Sequence, residues 1–332
     1  MKISKKLKMA ALGLAAVMSF GLLAGCGSDD KAAADKTYNV GIVQLVEHSA
    51  LDAANKGFVD ALKERGYEDG KNLTIDNQNA QADQSNLQNI GQRFVSNKVD
   101  LIYAIATPAA QTVANLTKDI PIVGSAITDY EAAKLVKSNQ EPGGNVTGTS
   151  DMNPIKEQVD LLIKLCPEAK TIGCVYTSSE VNSEIQYNAM KEYAESKGLK
   201  VEAATISTVN DIQQAAQSLC GKVDAFYEPT DNVIASAMPT LVAVTEAAKK
   251  PVICGESNMV TAGGLATYGV DYYQLGHQSG LMAADILEGK AKPATTPIEF
   301  AKVLKAVVNK TNAAKLGITI PDDILKDADV VE

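Results

Sequence analysis

From Tyr38 onward, apolar residues come in short runs, separated by stretches in which they recur every three or four positions. Short apolar runs bounded by polar residues fit strands buried on both faces, and the stretches between them have the period of helices. Alternation of this kind predicts an α/β chain with parallel sheets. In the first half, strands are expected at 40–43, 73–75, 101–105 and 121–124, with helices over 53–65, 85–96 and 109–116. Phe58, Ala61 and Leu62 share one face of the first of these helices. In the second half, strands at 171–176, 201–204, 225–227 and 251–254 alternate with helices over 184–196, 211–219 and 239–248.

The second half repeats the first. Val99-Asp100 ahead of Tyr103 corresponds to Val223-Asp224 ahead of Tyr227, Gly41 to Gly173, and Pro121 to Pro251. Gln88 and Gln92 on one helix correspond to Gln213 and Gln217 on another. A period above roughly a hundred residues is too long for a solenoid and points to two similar Rossmann-like lobes. The join falls in the turn cluster Glu141-Pro142-Gly143-Gly144-Asn145.

The N-terminus has a different character. Lys2, Lys5, Lys6 and Lys8 precede an apolar run over 9–23 that ends in Leu23-Ala24-Gly25-Cys26. A basic start, a short apolar stretch and small residues before a cysteine read as a lipoprotein signal rather than a membrane span. Residues 1–25 are expected to be removed, Cys26 to be lipidated, and 26–37 to form a flexible tether. Loss of the four leader lysines would move the formal charge from −9 to −13. So acidic a domain is a poor partner for nucleic acid.

Among the remaining cysteines, Cys166, Cys174, Cys220 and Cys254 match no zinc or redox spacing, and free thiols are expected, with no metal and no cofactor. No Walker A, GxGxxG, GxSxG or HExxH motif is present, so no enzyme activity is expected.

In open α/β sheets ligands bind beyond the carboxyl ends of the strands, where helix N-termini present free N–H groups. In the first half this selects His48, Ala50, Leu51 and Asp52, then Thr107, Pro108 and Ala109, then Ser125 and Ala126. In the second half it selects Ser178, Ser179 and Asn182, then Asp231 and Asn232, then Glu256. Each polar member also suits a helix N-cap, a role that contributes about 1 kcal/mol. Thr107 before Pro108 fits a cap followed by proline at the first helical position. Arg65 and Arg93 fall within helices, so a bidentate arginine clamp on a phosphate is disfavoured. Thr107, Ser125, Ser178 and Ser179 suit a carboxylate, and Asp231 and Glu256 suit an ammonium. With no Trp to stack on a sugar ring, a zwitterion such as an amino acid is favoured. A nucleoside or sugar ligand, or a sensory domain that reports occupancy without transport, are the alternatives.

Several segments in combination carry a resemblance. They are Val40-Gly41-Ile42-Val43-Gln44 with His48-Ser49-Ala50-Leu51-Asp52, Ala106-Thr107-Pro108-Ala109-Ala110-Gln111, and Gly144-Asn145-Val146-Thr147-Gly148. Tyr176-Thr177-Ser178-Ser179-Glu180, Pro229-Thr230-Asp231-Asn232 and Thr267-Tyr268-Gly269-Val270-Asp271-Tyr272-Tyr273 complete the set. The chain resembles bacterial ABC-transporter substrate-binding lipoproteins of the tryptophan/tyrosine-type group. The resemblance implies the type I periplasmic-binding-protein fold, with a three-stranded hinge. It assigns 38–149 plus about 267–296 to an N-terminal lobe, and 150–266 plus about 297–332 to a C-terminal lobe. It also implies closure on a small ligand, often an aromatic amino acid, which is delivered to an ABC permease and its ATPase; a monomer is expected.

Overall fold

A computed structural model describes residues 36–301 and 304–332. The signal segment and Cys26 lie outside the described residues.

The first sheet follows from the apolar runs of the first half. It contains β1 (Tyr38–Gln44), β2 (Leu73–Asn79), β3 (Leu101–Ile105), β4 (Ile122–Ile127) and β5 (Val146–Ser150). The helices between them are α1 (Ser49–Glu64), α2 (Gln84–Asn97) and α3 (Thr107–Leu116). Strands β3 and β4 are largely apolar and buried at every position, as a sheet covered on both faces requires, and β5, Val-Thr-Gly-Thr-Ser, is buried throughout as well.

The chain then builds a second sheet. Helix α4 (Ile155–Leu165) leads into β6 (Thr171–Thr177), α5 (Val181–Ser196), β7 (Lys200–Ile206), α6 (Ile212–Cys220) and β8 (Ala225–Glu228). Next come α7 (Asn232–Ser236), α8 (Met238–Ala247), β9 (Val252–Cys254), α9 (Ser257–Thr261) and β10 (Ala266–Val270). Helix α10 (Tyr272–Leu287) returns to the first lobe, where β11 (Glu299–Phe300) pairs with β5. The chain ends in the second lobe as β12 (Leu304–Asn309), α11 (Lys310–Leu316), α12 (Asp322–Leu325) and β13 (Asp329–Val331).

The sheet orders are β11-β5-β4-β3-β1-β2 and β13-β12-β10-β9-β8-β6-β7. The five central parallel strands run in the same relative order in both, so the two halves share one topology. The exception to parallel pairing is β12, antiparallel to β10. The chain passes between sheets after Ser150, Val270 and Phe300.

Helix α10 is the principal helical partner of α1, and the two run parallel at close range. A Cβ on Gly276 would come within 1.9 Å of the Ala54 carbonyl oxygen, and one on Gly57 within 2.1 Å of that of Tyr273. Only residues without side chains allow backbones this near. The first turns of both helices consequently meet at one end of the first lobe. Arg65 is committed to Asp285 and Glu288 on α10, and Arg93 to Asp76. Among the described residues all four cysteines are free, with Cys174 and Cys254 buried.

Helix starts depart from the sequence expectation in an informative way. Helix α1 begins at Ser49, four residues early, because Ala50 and Leu51 continue the buried stripe of Ala54 and Phe58. Helix α3 begins at Thr107, so Thr107 is its first residue and not its cap. The cap is Ala106, held at φ 85° and ψ 152°, a conformation ordinarily reserved for glycine. The short α7 has no counterpart in the expected element list.

Candidate functional site

The carboxyl ends of the two sheets face each other across a cleft, and helix N-termini converge on it from both sides. A small cavity of about 10 Å³ lies there, where the two lobes meet. His48, Leu51 and Ala126 line it from the first lobe, and Asp231, Asn232 and Glu256 from the second. Asp151, Thr230, Ala235 and Tyr272 complete the wall. A wider groove of about 670 Å³ runs beside it along α10. Much of that groove's polar lining is paired: Lys305 with Asp329, His277 with Glu64, Tyr273 with Asp60, and Gln278 with Glu299. The smaller cavity, with unsatisfied polar atoms on and around it, is the better candidate.

The two faces differ in kind. On the first lobe, the caps of α1 and α3 are His48 and Ala106, and neither helix has a side-chain cap bond. The first-turn N–H groups of Ser49, Ala50 and Leu51, and of Thr107 and Ala109, therefore lack intrahelical acceptors. Thr107 Oγ1 is buried with no hydrogen-bond partner, and so is His48 Nδ1. Aligned peptide dipoles make this face electropositive without any basic side chain.

The second lobe presents carboxylates. Glu180, Asp231 and Glu256 precede α5, α7 and α9, and all three are buried. Glu256 accepts from Asn258 N and Met259 N (2.6 and 2.8 Å). Its position depends on Gln158 of α4, which donates to the carbonyls of Gly255 and Tyr268 and accepts from Tyr227 OH. Asp231 accepts from Thr177 N, Thr177 Oγ1, Ser183 Oγ and Ile234 N, at 2.6 to 2.9 Å. Glu180 reaches past its own helix to Asn232 N and Val233 N, and also accepts from Asn182 Nδ2.

No Lys or Arg pairs with these groups among the described residues. Burial, and then the charge of Asp231, lift the Glu180 carboxyl to about 8. Burial, with a smaller push from Asp151, lifts Glu256 to about 7. Asp151 and Asp231 are also raised by burial.

Among the described residues, two hydrogen bonds join the cleft faces of the two lobes. His48 Nε2 meets Asn232 Oδ1 at 3.2 Å, and Gln186 Nε2 on α5 donates to Thr128 Oγ1 at 3.1 Å. Thr128 Oγ1 in turn donates to Asp151 Oδ1 (3.2 Å), while Tyr272 OH donates to Asp151 Oδ2 (2.7 Å). Asp151 follows β5 and Tyr272 precedes the rest of α10, so this bond ties two passages of the chain between lobes.

Other expected site residues take different places. Ser178 and Ser179 are exposed, and Ser178 Oγ donates to the Ile206 carbonyl, outside the cavity wall. Ser125 is turned into the core, where Thr149 Oγ1 donates to it at 3.3 Å. Asp52 is exposed and accepts from Gln44 Nε2. Asn182 is buried behind Glu180 and leaves its Oδ1 without a partner. Ala50, Thr107, Pro108 and Ala109 supply helix first turns and are not part of the enclosed wall. Asp151 and Tyr272 follow β5 and β10, neither of which is among the expected strands, so a search of the loops after expected strands misses both. The acid at the end of the buried run Val146–Ser150 was the available signal.

Two lobes threaded three times by one chain, closing on a cavity, define a type I periplasmic-binding-protein fold. Residues 39–332 match the family of ABC transporter substrate binding proteins, and the chain belongs to that family. Its members bind solutes outside the cytoplasm for ABC transporters. A tyrosine-binding protein of Clostridioides difficile is 46% identical over 296 residues, covering 86% of each chain. A crystal structure from Streptococcus pneumonia, of an ABC domain in complex with L-Trp, is 44% identical with a TM-score of 0.86 and covers 90% of this chain and 100% of that one. The ligand-free, open structure of a Clostridium difficile substrate binding protein with adhesive properties is also 44% identical. It covers 89% of this chain and 99% of that one, at a TM-score of 0.68. At equal identity the better superposition is on the ligand complex, and the two interlobe hydrogen bonds agree that the lobes here are closed. No helix among the described residues is long and apolar enough to cross a membrane.

Proposed function

We propose that the protein captures an α-amino acid, of the aromatic class, for an ABC permease and its ATPase. The observation that carries this reading is the opposite polarity of the two cleft faces. The uncapped first turns of α1 and α3, with the unpartnered Thr107 hydroxyl behind the wall, belong to the first lobe; buried carboxylates, without basic partners among the described residues, belong to the second. A ligand carrying both an anion and a cation neutralises both faces at once. The carboxylate is assigned to Thr107 Oγ1 with the first turn of α3, and the ammonium to the acidic wall. Leu51, Ala126, Ala235 and the Tyr272 ring are the apolar residues of the wall, and the cavity of about 10 Å³ widens between them to admit the side chain. The named ligands of the similar proteins, tyrosine and L-Trp, support an aromatic side chain.

Ligand bridging both faces stabilises the closed form in proportion to its differential affinity for that form. The protein works as a monomer, held outside the cytoplasm by lipid on Cys26, as the lipobox-like Leu23-Ala24-Gly25-Cys26 suggests. Calorimetric titration with L-Trp, L-Tyr, tryptamine and indole-3-propionate tests the ligand assignment. Binding of the amino acids, with loss for both analogues, is expected. Equal binding of tryptamine or of indole-3-propionate would remove the zwitterion reading.

A further inference from the structure

We propose that the ammonium of the ligand is held between Asp151 and Glu256, and not by Asp231. The assignment rests on the zwitterion reading of the cleft and follows from counting acceptor sites. A carboxylate offers about four lone-pair positions. Asp231 receives four donors, two on each oxygen, all from its own lobe. It is a saturated cap and has nothing left to offer a ligand beyond its field. Asp151 receives one donor on each oxygen, from Thr128 and from Tyr272. Glu256 likewise receives one backbone N–H on each oxygen. These two alone, among the acids on the cavity wall, combine burial with unused acceptor capacity.

Their places in the fold give the pair a role that Asp231 lacks. Asp151 stands where the chain first leaves the first lobe, and Tyr272 ties it to the second passage. Glu256 belongs wholly to the second lobe, braced by Gln158 beneath it. An ammonium between them joins the hinge to the second lobe, so amine capture and closure become one event.

Capture also moves protons. The neighbouring ionisable groups are His48 and Asp231 on the wall, Asp52 beside His48, Glu180 behind Asn232, and the Tyr272 phenol. None is a cation at neutral pH, since burial keeps His48 below its usual value and the others are acids. Two buried acids on the wall of one small cavity, near enough that the Asp151 charge raises Glu256, retain a proton without a cation between them, and an incoming ammonium displaces it.

The test is calorimetric titration with L-Trp and L-Tyr at pH ~6 and pH ~8, in buffers of different ionisation enthalpy. Proton release at the lower pH, vanishing at the higher one, is expected. Asp151→Asn and Glu256→Gln should each weaken binding roughly tenfold or more and diminish the release. In the Glu256→Gln variant the amide oxygen can still accept from the α9 backbone, and thermal unfolding reports whether each variant folds.

If neither amino acid binds the wild-type protein, the zwitterion reading itself fails. Amino-acid binding with no proton release at pH ~6 would leave that reading standing and overturn the Asp151–Glu256 pair. Wild-type affinity in a folded Asp151→Asn or Glu256→Gln variant would overturn it equally.

Discussion

His48 Nε2 lies 3.2 Å from Asn232 Oδ1, with one residue on each lobe. Asn232 Nδ2 is already committed to Glu180, so Asn232 Oδ1 is the acceptor and His48 carries its proton on Nε2. His48→Ala removes a bond that exists only when the lobes are closed. Amino-acid affinity should fall by up to about tenfold, the worth of one net hydrogen bond. The melting temperature of the ligand-free, open form should barely change. Calorimetry and thermal unfolding of the same preparation check both halves.

Thr107 makes the converse case. Its hydroxyl is buried and unpartnered, so Thr107→Val deletes a polar group that folding leaves unsatisfied. Stability should be unchanged or raised, while affinity for L-Trp should drop by roughly tenfold. A parallel loss of stability and affinity would mean the hydroxyl serves the fold.

Gly276→Ala tests the seam between α1 and α10. The added methyl would overlap the Ala54 carbonyl oxygen at 1.9 Å, and neither backbone can yield without parting the helices. A loss of about 3 kcal/mol or more in urea unfolding is expected. Because both helices start at the cleft, ligand affinity should fall as well.

The pH dependence of the ligand-free protein has a definite sign. Glu256 and Glu180 are lifted from an ordinary 4.5 to about 7 and about 8. Between those values the folded state holds protons that the unfolded state has lost, so stability falls as pH rises through that window. The melting temperature should decline from pH ~5 to pH ~8, and saturating L-Trp should offset the decline increasingly at the upper end.

Much of the lobe architecture was legible because buried parallel strands leave continuous apolar runs, and Val40, Leu101 and Ile172 announce theirs. The duplicated order was legible for the same reason. The site was legible as a set of loops but not as a set of roles. Ser178 and Ser179 have the right chemistry, yet the turn after β6 directs Ser178 Oγ to the Ile206 carbonyl, and Glu180 and Asp231 take over the neighbouring caps. Asp231 reads as an ammonium partner until its four donors are counted, and no single-sequence pattern reports those. Asp151 and Tyr272 meet across 121 positions in the chain, a pairing that only the folded hinge creates. Ser178→Ala should accordingly change affinity less than about twofold, within the range of ordinary surface substitutions.

The three passages between lobes also govern how the molecule can be assembled. The first sheet waits for β11, and α1 waits for α10, before that lobe is covered. The second sheet waits for β12 and β13, at the very end of the chain. Neither lobe is an autonomous folding unit, and no cut in the sequence yields a complete half. A polypeptide threaded in this way completes neither sheet until β11, β12 and β13 are in place, so both lobes finish folding together.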